Sequence, residues 1–265
     1  MTSSALICFL KFPAPGHVKT RLAAEIGDEH AVDLYASLAE RLITEVYPME
    51  GGYDLVLCYD PQHDQEQFET WLGSNWTFWE QERGDLGTRL SCAVDRALDE
   101  GYQKIALIGS DCIGFSEESI DAMFGELDHH DFVVGPASDG GYYLIALKEY
   151  NPWLFEDIHW STETVLETTL DKIEVREKTV HQLEEKQDID TIDDLSAFRR
   201  KLPEEHFLAK KIDLIALRTT DSTEMTEQQR QAIQSMEQSL NDGLYNSLPI
   251  DELIVKDKEI DSELF

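Results

Sequence analysis

The sequence predicts an α/β fold with a mostly parallel central sheet. Three observations carry this reading. Short, nearly uninterrupted apolar runs, such as Ala5–Leu10 (ALICFL) and Lys104–Gly109 (KIALIG), read as strands buried on both faces. Stretches with apolar residues at helical spacing alternate with them. Loops carrying glycine, proline or aspartate follow the strands, at the place where open α/β sheets hold their ligands.

In chain order, Ala5–Leu10 opens into a loop with Pro13, Pro15 and Gly16, and a helical pattern starts at Lys19, Thr20 and Arg21. Asp28 is placed to cap a helix with the stripe Ala31, Leu34, Tyr35, Leu38, Leu42 and Val46. Gly51-Gly52 breaks the chain, and Tyr53–Tyr59 is the second strand. A short helix around Glu66–Trp71 and a third strand at Trp76–Glu80 follow. The loop Gln81–Gly87 leads into a helix with Leu90, Ala93, Val94 and Ala97 on one face. The strand Lys104–Gly109 ends in Ser110-Asp111-Cys112, and Ser116 caps the next helix, with Ile120, Met123, Phe124 and Leu127 as its stripe. Phe132–Gly135 and Tyr142–Leu147 are strands on either side of Pro136–Gly141. A helix is expected from about Ser161 to Leu170, with Ile173–Arg176 as the candidate last strand. Thr191-Ile-Asp-Asp194 reads as a capping-box start for a helix through Phe198. After about Pro203 the chain is polar and helix-prone, with an apolar group at Ile212, Leu214, Ile215 and Leu217. A Gln-rich stretch, Glu224–Leu240, follows. The expected organisation is an α/β domain over 1–203 and a helical extension over 204–265, the latter a candidate element for a homodimer.

Composition narrows the partners. The 265 residues hold 54 Asp+Glu against 22 Lys+Arg, a formal charge of −32 spread along the chain. Such a surface repels nucleic-acid backbone and anionic membrane. No apolar run approaches the ~20 residues needed to cross a bilayer, and no basic, cleavable leader is evident. A cytoplasmic location is the expectation. Cys8, Cys58, Cys92 and Cys112 form no C-x-x-C pair and read as reduced thiols. The eight histidines show no zinc spacing, and His129-His130 is expected at a solvated helix end.

Against this acidity, the first loop is unusual. No carboxylate precedes Glu25, whereas Lys11, Lys19 and Arg21 do. Composition alone gives such a gap with odds of roughly one in two hundred. A strand that hands basic residues and free backbone N–H groups to a helix start suits phosphate. The plain alternative is a buried strand followed by an ordinary loop. Asp111 stands at the end of a buried strand, where a carboxylate has no packing role. It can hold a divalent metal that bridges phosphates, or it can serve a turn. Asp188 and Asp190 precede a helix and suit either a second metal carboxylate or a cap. Asp139-Gly140-Gly141 reads as a tight hairpin turn or as a place where backbone approaches a ligand closely. Gln81, Gly84 and Gly87 form either a simple βα connection or a base-reading loop, to which Arg89 adds a cation. G-x-G-x-x-G, a full Walker A loop and G-x-S-x-G are all absent.

In order, Lys11–Leu22 (KFPAPGHVKTRL), Gln81 with Gly84–Leu90 (GDLGTRL), Ile108–Cys112 (IGSDC), Gly135–Tyr143 (GPASDGGYY), Trp160–Thr162 and Asp188–Leu195 resemble a known family. It is the bacterial glycosyltransferase-like family of selenodomain-associated and radical-SAM-associated transferases. A more distant similarity is to 2-phospho-L-lactate guanylyltransferase and the molybdenum-cofactor guanylyltransferases. The resemblance covers about residues 5 to 200. It implies a GT-A fold, the Rossmann-like three-layer sandwich of nucleotide-diphospho-sugar transferases. By that analogy Pro15, Gly16, Lys19 and Arg21 hold phosphates. Gln81, Gly84, Gly87 and Arg89 lie on the nucleotide side, with Gln81 meeting the base. Asp111 and Asp190 hold Mg²⁺ or Mn²⁺. Asp139, Gly140, Gly141, Trp160 and Ser161 line the acceptor side. Ile113 departs from the family, which commonly has proline there. The implied substrates are a nucleoside triphosphate or nucleotide-diphospho-sugar and a small acceptor, with Lys19, Arg21 and Asp111 as the catalytic candidates. Nucleotidyl transfer leads, because Asp111 has no neighbouring acid to complete a D-x-D pair. Glycosyl transfer and a non-catalytic nucleotide-binding scaffold are the alternatives.

Overall fold

In the computed structural model, residues 3–204 and 206–219 are described, with isolated positions between 231 and 238. The Gln-rich stretch Glu224–Leu240 lies largely outside them. Seven strands form one sheet: β1 Ser4–Leu10, β2 Asp54–Tyr59, β3 Thr77–Glu80, β4 Lys104–Gly109, β5 Phe132–Pro136, β6 Tyr142–Leu147 and β7 Val180–Gln182. Their order is β3-β2-β1-β4-β6-β5-β7. Every neighbouring pair is parallel except those made by β6, which runs antiparallel to β4 and β5. The helices are α1 Thr20–Ile26, α2 Asp28–Glu45, α3 Gln65–Leu72, α4 Leu86–Asp99, α5 Glu117–Glu126, α6 Val165–Glu174, α7 Ile192–Lys201 and α8 Phe207–Thr219. This is the expected α/β fold with a mostly parallel sheet.

The described residues cluster into two compact units. One comprises the residues up to Phe12 with Arg41–Asp188, and it contains the whole sheet. The other comprises Pro13–Glu40 with the described residues from Ile189 onward.

In the sheet unit, alternation along the strands sends side chains to opposite faces. Ala5 and Ile7 of β1, Val56 and Cys58 of β2, and Ile105 and Leu107 of β4 pack in one buried cluster with Leu90, Val94 and Ala97 of α4. The parallel register aligns Leu10 with Tyr59, and Phe9 with Gly109. The loops after β1, β2, β3 and β4 therefore leave the sheet at one end. All four cysteines are free thiols. Burial pushes the Cys8 thiol far up, helped by Cys58 and the Asp111 carboxylate, and pushes Cys58 up to about 12. Both are inert packing groups rather than nucleophiles.

Two sequence expectations are corrected. The helix expected over Ser161–Leu170 runs from Val165 to Glu174. Ser161 has φ 63°, a left-handed backbone that a residue within a right-handed helix does not adopt. The strand expected at Ile173–Arg176 is the end of that helix and a turn. Val165, Thr169 and Ile173 are buried at four-residue spacing, while Val175 is 80% exposed. The last strand is β7, whose short, mixed sequence carries no alternation signal. Its start is tied down by Asp131, whose carboxylate accepts from the Thr179 N–H (2.8 Å) and hydroxyl (2.9 Å) and from Lys178 (3.2 Å). The Thr179 amide above all holds the Asp131 carboxyl below its ordinary value, against the opposing effect of partial burial.

The second unit is helical. Leu22 and Ile26 of α1, Leu195 of α7, and Leu208, Ile212 and Ile215 of α8 are buried. Arg199 binds Asp213 in two parallel hydrogen bonds of 2.8 and 2.7 Å, joining α7 to α8. Lys211 donates to Asp33 and Ser37, each at 2.6 Å, tying α8 to the first half of α2.

Candidate functional site

In the helical unit the first loop and the start of α7 meet. Gly16 turns the chain with φ 76°, and His17 N–H donates to the Ala14 carbonyl at 3.1 Å. Lys19 precedes α1 in a left-handed conformation, φ 45° and ψ 42°. For a lysine this costs on the order of 1–2 kcal/mol. Its side chain is only 1% exposed and its Nζ lies 3.0 Å from Asp190 Oδ1. Arg21 Nη1 approaches the other oxygen of Asp190 at 4.0 Å and is otherwise well exposed. Asp190 is held from behind by a capping box. The Thr191 hydroxyl accepts from Asp194 N–H (3.2 Å), and Asp194 Oδ2 accepts from Thr191 N–H (2.9 Å) and Asp190 N–H (3.3 Å). The structure thus brings together Lys19, Arg21 and Asp190, three residues placed in one site by sequence. α1 has only seven residues, so its dipole adds little, and the two cations carry the attraction for an anion.

In the sheet unit the strand-end loops form a hydrogen-bonded network. Gln81 N–H donates to the Tyr59 carbonyl and Asp60 N–H to that of Leu10, each at 2.9 Å. The buried Gln81 amide donates to the carbonyls of Cys58 (2.8 Å) and Leu10 (3.4 Å). That amide is engaged in closing the sheet end, so its geometry favours the structural βα connection over base reading. Arg89 Nη1 donates to Asp60 Oδ2 at 2.8 Å and to Gln81 Oε1 at 3.3 Å, while Arg89 Nε donates to the Gly84 carbonyl at 3.0 Å. Arg89 therefore fastens the Gly84 loop to the end of β2. Asp60 was not among the sequence candidates, yet it stands after its strand just as Asp111 does. A cleft of about 470 Å³ opens beside this network. Its lining carries Glu80, Glu82, Asp95, Asp99 and Glu100 against Arg89 and Arg96, which disfavours phosphate there.

Arg89→Ala is expected to destabilise the sheet unit by about 2 kcal/mol. That is below the ~3–5 kcal/mol for breaking a fully buried pair, because the Arg89 side chain is 25% exposed against 7% for Asp60. Adding Asp60→Asn removes the orphaned charge and is expected to recover part of the loss in urea unfolding.

Asp111 follows β4 on the loop that leads to α5. The buried Ser110 places its hydroxyl 3.4 Å from Asp111 Oδ1. Glu45 Oε2 accepts the N–H groups of Gly114 (2.7 Å) and Phe115 (3.0 Å), and Lys186 donates to the Gly114 carbonyl at 2.7 Å. These contacts fix the stretch that directly follows Ile113. One strand-end carboxylate with a neighbouring hydroxyl fits Mg²⁺ or Mn²⁺, which keep most positions for water and phosphate. Asp190 fits less simply, because Lys19 already neutralises it.

The remaining candidates are also placed. Asp139 Oδ1 accepts from Gly141 N–H at 2.8 Å, closing the β5–β6 turn in which Gly140 has φ 87°. A Cβ on Gly140 would lie 2.1 Å from the Glu163 carbonyl oxygen. A Cβ on Gly87 would lie 2.4 Å from the Phe155 carbonyl oxygen and 2.8 Å from Trp160 Nε1. Trp160 packs edge-on to Tyr142, with ring centroids 6.3 Å apart. The glycines thus let the turn and α4 press against the 155–165 segment. Sequence reading missed this role, since nothing local marks which backbone will approach.

Among the described residues no helix is long and apolar enough to cross a membrane. No curated protein matches the chain. Solved structures similar to it include a candidate nucleotide-diphospho-sugar transferase from Desulfovibrio desulfuricans G20. That match has 32% identity, 83% of this chain and 99% of that one covered, and a TM-score of 0.76. Rv0371c from Mycobacterium tuberculosis H37Rv matches at 14% identity, with 75% and 96% covered and a TM-score of 0.46. The inositol-1-phosphate CTP transferase of T. maritima matches at 18%, with 80% and 96% covered and a TM-score of 0.44. The model of a family described as an uncharacterized protein conserved in bacteria, DUF2064, matches residues 44–162, from the end of α2 to the loop before α6. With that match and the near-complete coverage of the Desulfovibrio protein, the chain belongs to the DUF2064 family, on the fold of the nucleotide-diphospho-sugar transferases.

Proposed function

We propose that the protein is a metal-dependent nucleotidyltransferase that joins the nucleotidyl group of a nucleoside triphosphate to a small phosphate- or carboxylate-bearing metabolite. The observation that carries this reading is Lys19. A buried cation on a left-handed backbone, in a chain of charge −32, is costly unless an anion is to be held there. In this proposal Asp190 is its resident counter-ion, and substrate phosphate takes that place. Arg21 adds a second, exposed charge, and Pro15 and Gly16 shape the loop.

An ionised acceptor oxygen forms the new bond to the α-phosphorus while the bond from that phosphorus to the pyrophosphate oxygen breaks. Because the attacking oxygen is already an anion, no side chain has to remove a proton. That is consistent with candidate residues that are cations and carboxylates. Asp111, with Asp190 as the second candidate carboxylate, is the residue proposed to hold Mg²⁺ or Mn²⁺, which would offset the phosphate charge. The chain's own part is to orient phosphates through Lys19 and Arg21 and to present the acceptor near Asp139–Gly141, Trp160 and Ser161.

The name of the Desulfovibrio relative favours a second reading, glycosyl transfer from a nucleotide-diphospho-sugar. A thermal-shift panel separates the two. With Mg²⁺ present, one nucleoside triphosphate is expected to raise Tm more than the matching nucleotide-diphospho-sugar. The reverse order would replace nucleotidyl by glycosyl transfer, and no shift from either would remove both.

A further inference from the structure

We propose that Glu126, His130 and His181 form a binding site for a borderline transition cation of the Zn²⁺ or Co²⁺ class. His130 is the second of the two histidines expected at a solvated helix end. Its side chain is in fact 30% exposed and faces Glu126 and His181. Glu126 Oε2 lies 3.4 Å from His130 Nδ1 and 3.6 Å from His181 Nδ1. All three residues can offer ligand atoms within 4.8 Å of one another. A tetrahedral ion with bonds of about 2.0–2.1 Å needs ligand atoms about 3.4 Å apart. Two of the three edges are already near that length, and rotation of the imidazoles can close the third.

The frame is fixed by secondary structure. Glu126 ends α5, and His130 N–H donates to its carbonyl at 2.9 Å. His181 is the middle residue of β7, paired with Val133 of β5. His130 Nδ1 also lies 3.1 Å from the Glu126 carbonyl. Ligation through that nitrogen requires the imidazole to turn off the carbonyl, because a ring nitrogen that donates a proton cannot bind a cation. Nearby acids have other partners: Asp128 pairs with Lys104 at 2.8 Å, and Asp131 holds Thr179 and Lys178. Imidazole with one carboxylate is the donor set of zinc rather than of magnesium.

The cluster sits at the amino ends of β5 and β7, opposite to the strand-end loops that carry Asp111, and the inference does not depend on the proposed transferase reaction. Three protein ligands leave a fourth position for water. Their common effect is to fasten a three-residue edge strand to the end of α5.

The test uses the untagged full chain titrated with Co²⁺, followed by visible absorption, and with Zn²⁺ in competition and in calorimetry. One equivalent is expected to bind with d–d bands of a four- or five-coordinate site, undisturbed by millimolar Mg²⁺, and Zn²⁺ is expected to raise Tm. His130→Ala and His181→Ala should each weaken affinity at least about tenfold, and the isosteric Glu126→Gln should weaken it as well. His129→Ala, at the exposed neighbour, should bind like the parent. The three ligand side chains are partly exposed, so metal-free Tm should change little, and circular dichroism checks this. Absence of stoichiometric Co²⁺ and Zn²⁺ binding by the parent, or parent-like affinity in all three ligand variants, would overturn the proposal.

Discussion

Lys19→Ala is expected to lower kcat/KM for the selected nucleoside triphosphate by about 10²–10³, the loss typical of removing one preorganised group from developing charge. Its binding in calorimetry should weaken in parallel. The fold is expected to survive. The Lys19–Asp190 pair has one partner wholly buried but the other 40% exposed, and such half-solvated pairs contribute only about 1 kcal/mol. Removing the lysine also relieves the side chain's burial, although the substituted residue keeps the left-handed backbone. The contrast with Asp190→Asn is informative. If Lys19 serves only to pair with Asp190, both variants lose the same small stability and neither changes nucleotide affinity. If Lys19 awaits phosphate, Lys19→Ala loses nucleotide affinity, whereas Asp190→Asn leaves the lysine in place and changes the metal dependence instead. Parent-like affinity in Lys19→Ala would sink the phosphate role.

The second large effect concerns stability. Gly140→Ala is expected to destabilise the sheet unit by about 2–4 kcal/mol, a fall in Tm of roughly 5–15 °C. Two causes add. The backbone there has φ 87°, which disfavours any residue with a Cβ, and the new methyl would meet the backbone of Glu163 with atoms at 2.1 and 2.6 Å. Backbone cannot rotate aside as a side chain can, and Leu166 N–H already bonds the Gly140 carbonyl at 2.9 Å. Gly101 supplies the control. It has φ 96°, but a Cβ added there would meet nothing within 4 Å, so Gly101→Ala should show the conformational cost alone, on the order of 1 kcal/mol. Equal losses in the two variants, measured by thermal and urea unfolding, would show that the contact with Glu163 yields freely.

Asp111 and Arg89 show how differently candidate residues behave once packing is known. Asp111 follows β4 and Arg89 lies in the first turn of α4, and both suggested ligand chemistry. Asp111 keeps the Ser110 hydroxyl beside it on a loop clamped by Glu45 and Lys186. Arg89 is committed to Asp60, Gln81 and Gly84. The difference arises from Asp60, a carboxylate at the end of the neighbouring parallel strand. Gln81 changes character for the same reason, because the ends of β1 and β2 present carbonyls that its amide must satisfy.

The sequence by itself determined the strand–helix alternation, six of the seven described strands, the helix cap at Ser116 and the capping box at Thr191, and the association of Lys19 and Arg21 with a strand-end loop. Each of these rests on local chemistry: apolar runs for strands buried on both faces, hydroxyl and carboxylate caps, and charge against an acidic background. Tertiary structure alone decided the edge strand β7, the partner of Lys19, the structural engagement of Gln81 and Arg89, and the meeting of Glu126 and His130 with His181. These are contacts between residues far apart in the chain. Which carbonyl, carboxylate or imidazole a side chain meets depends on sheet order and register, and periodicity within one segment carries no record of either.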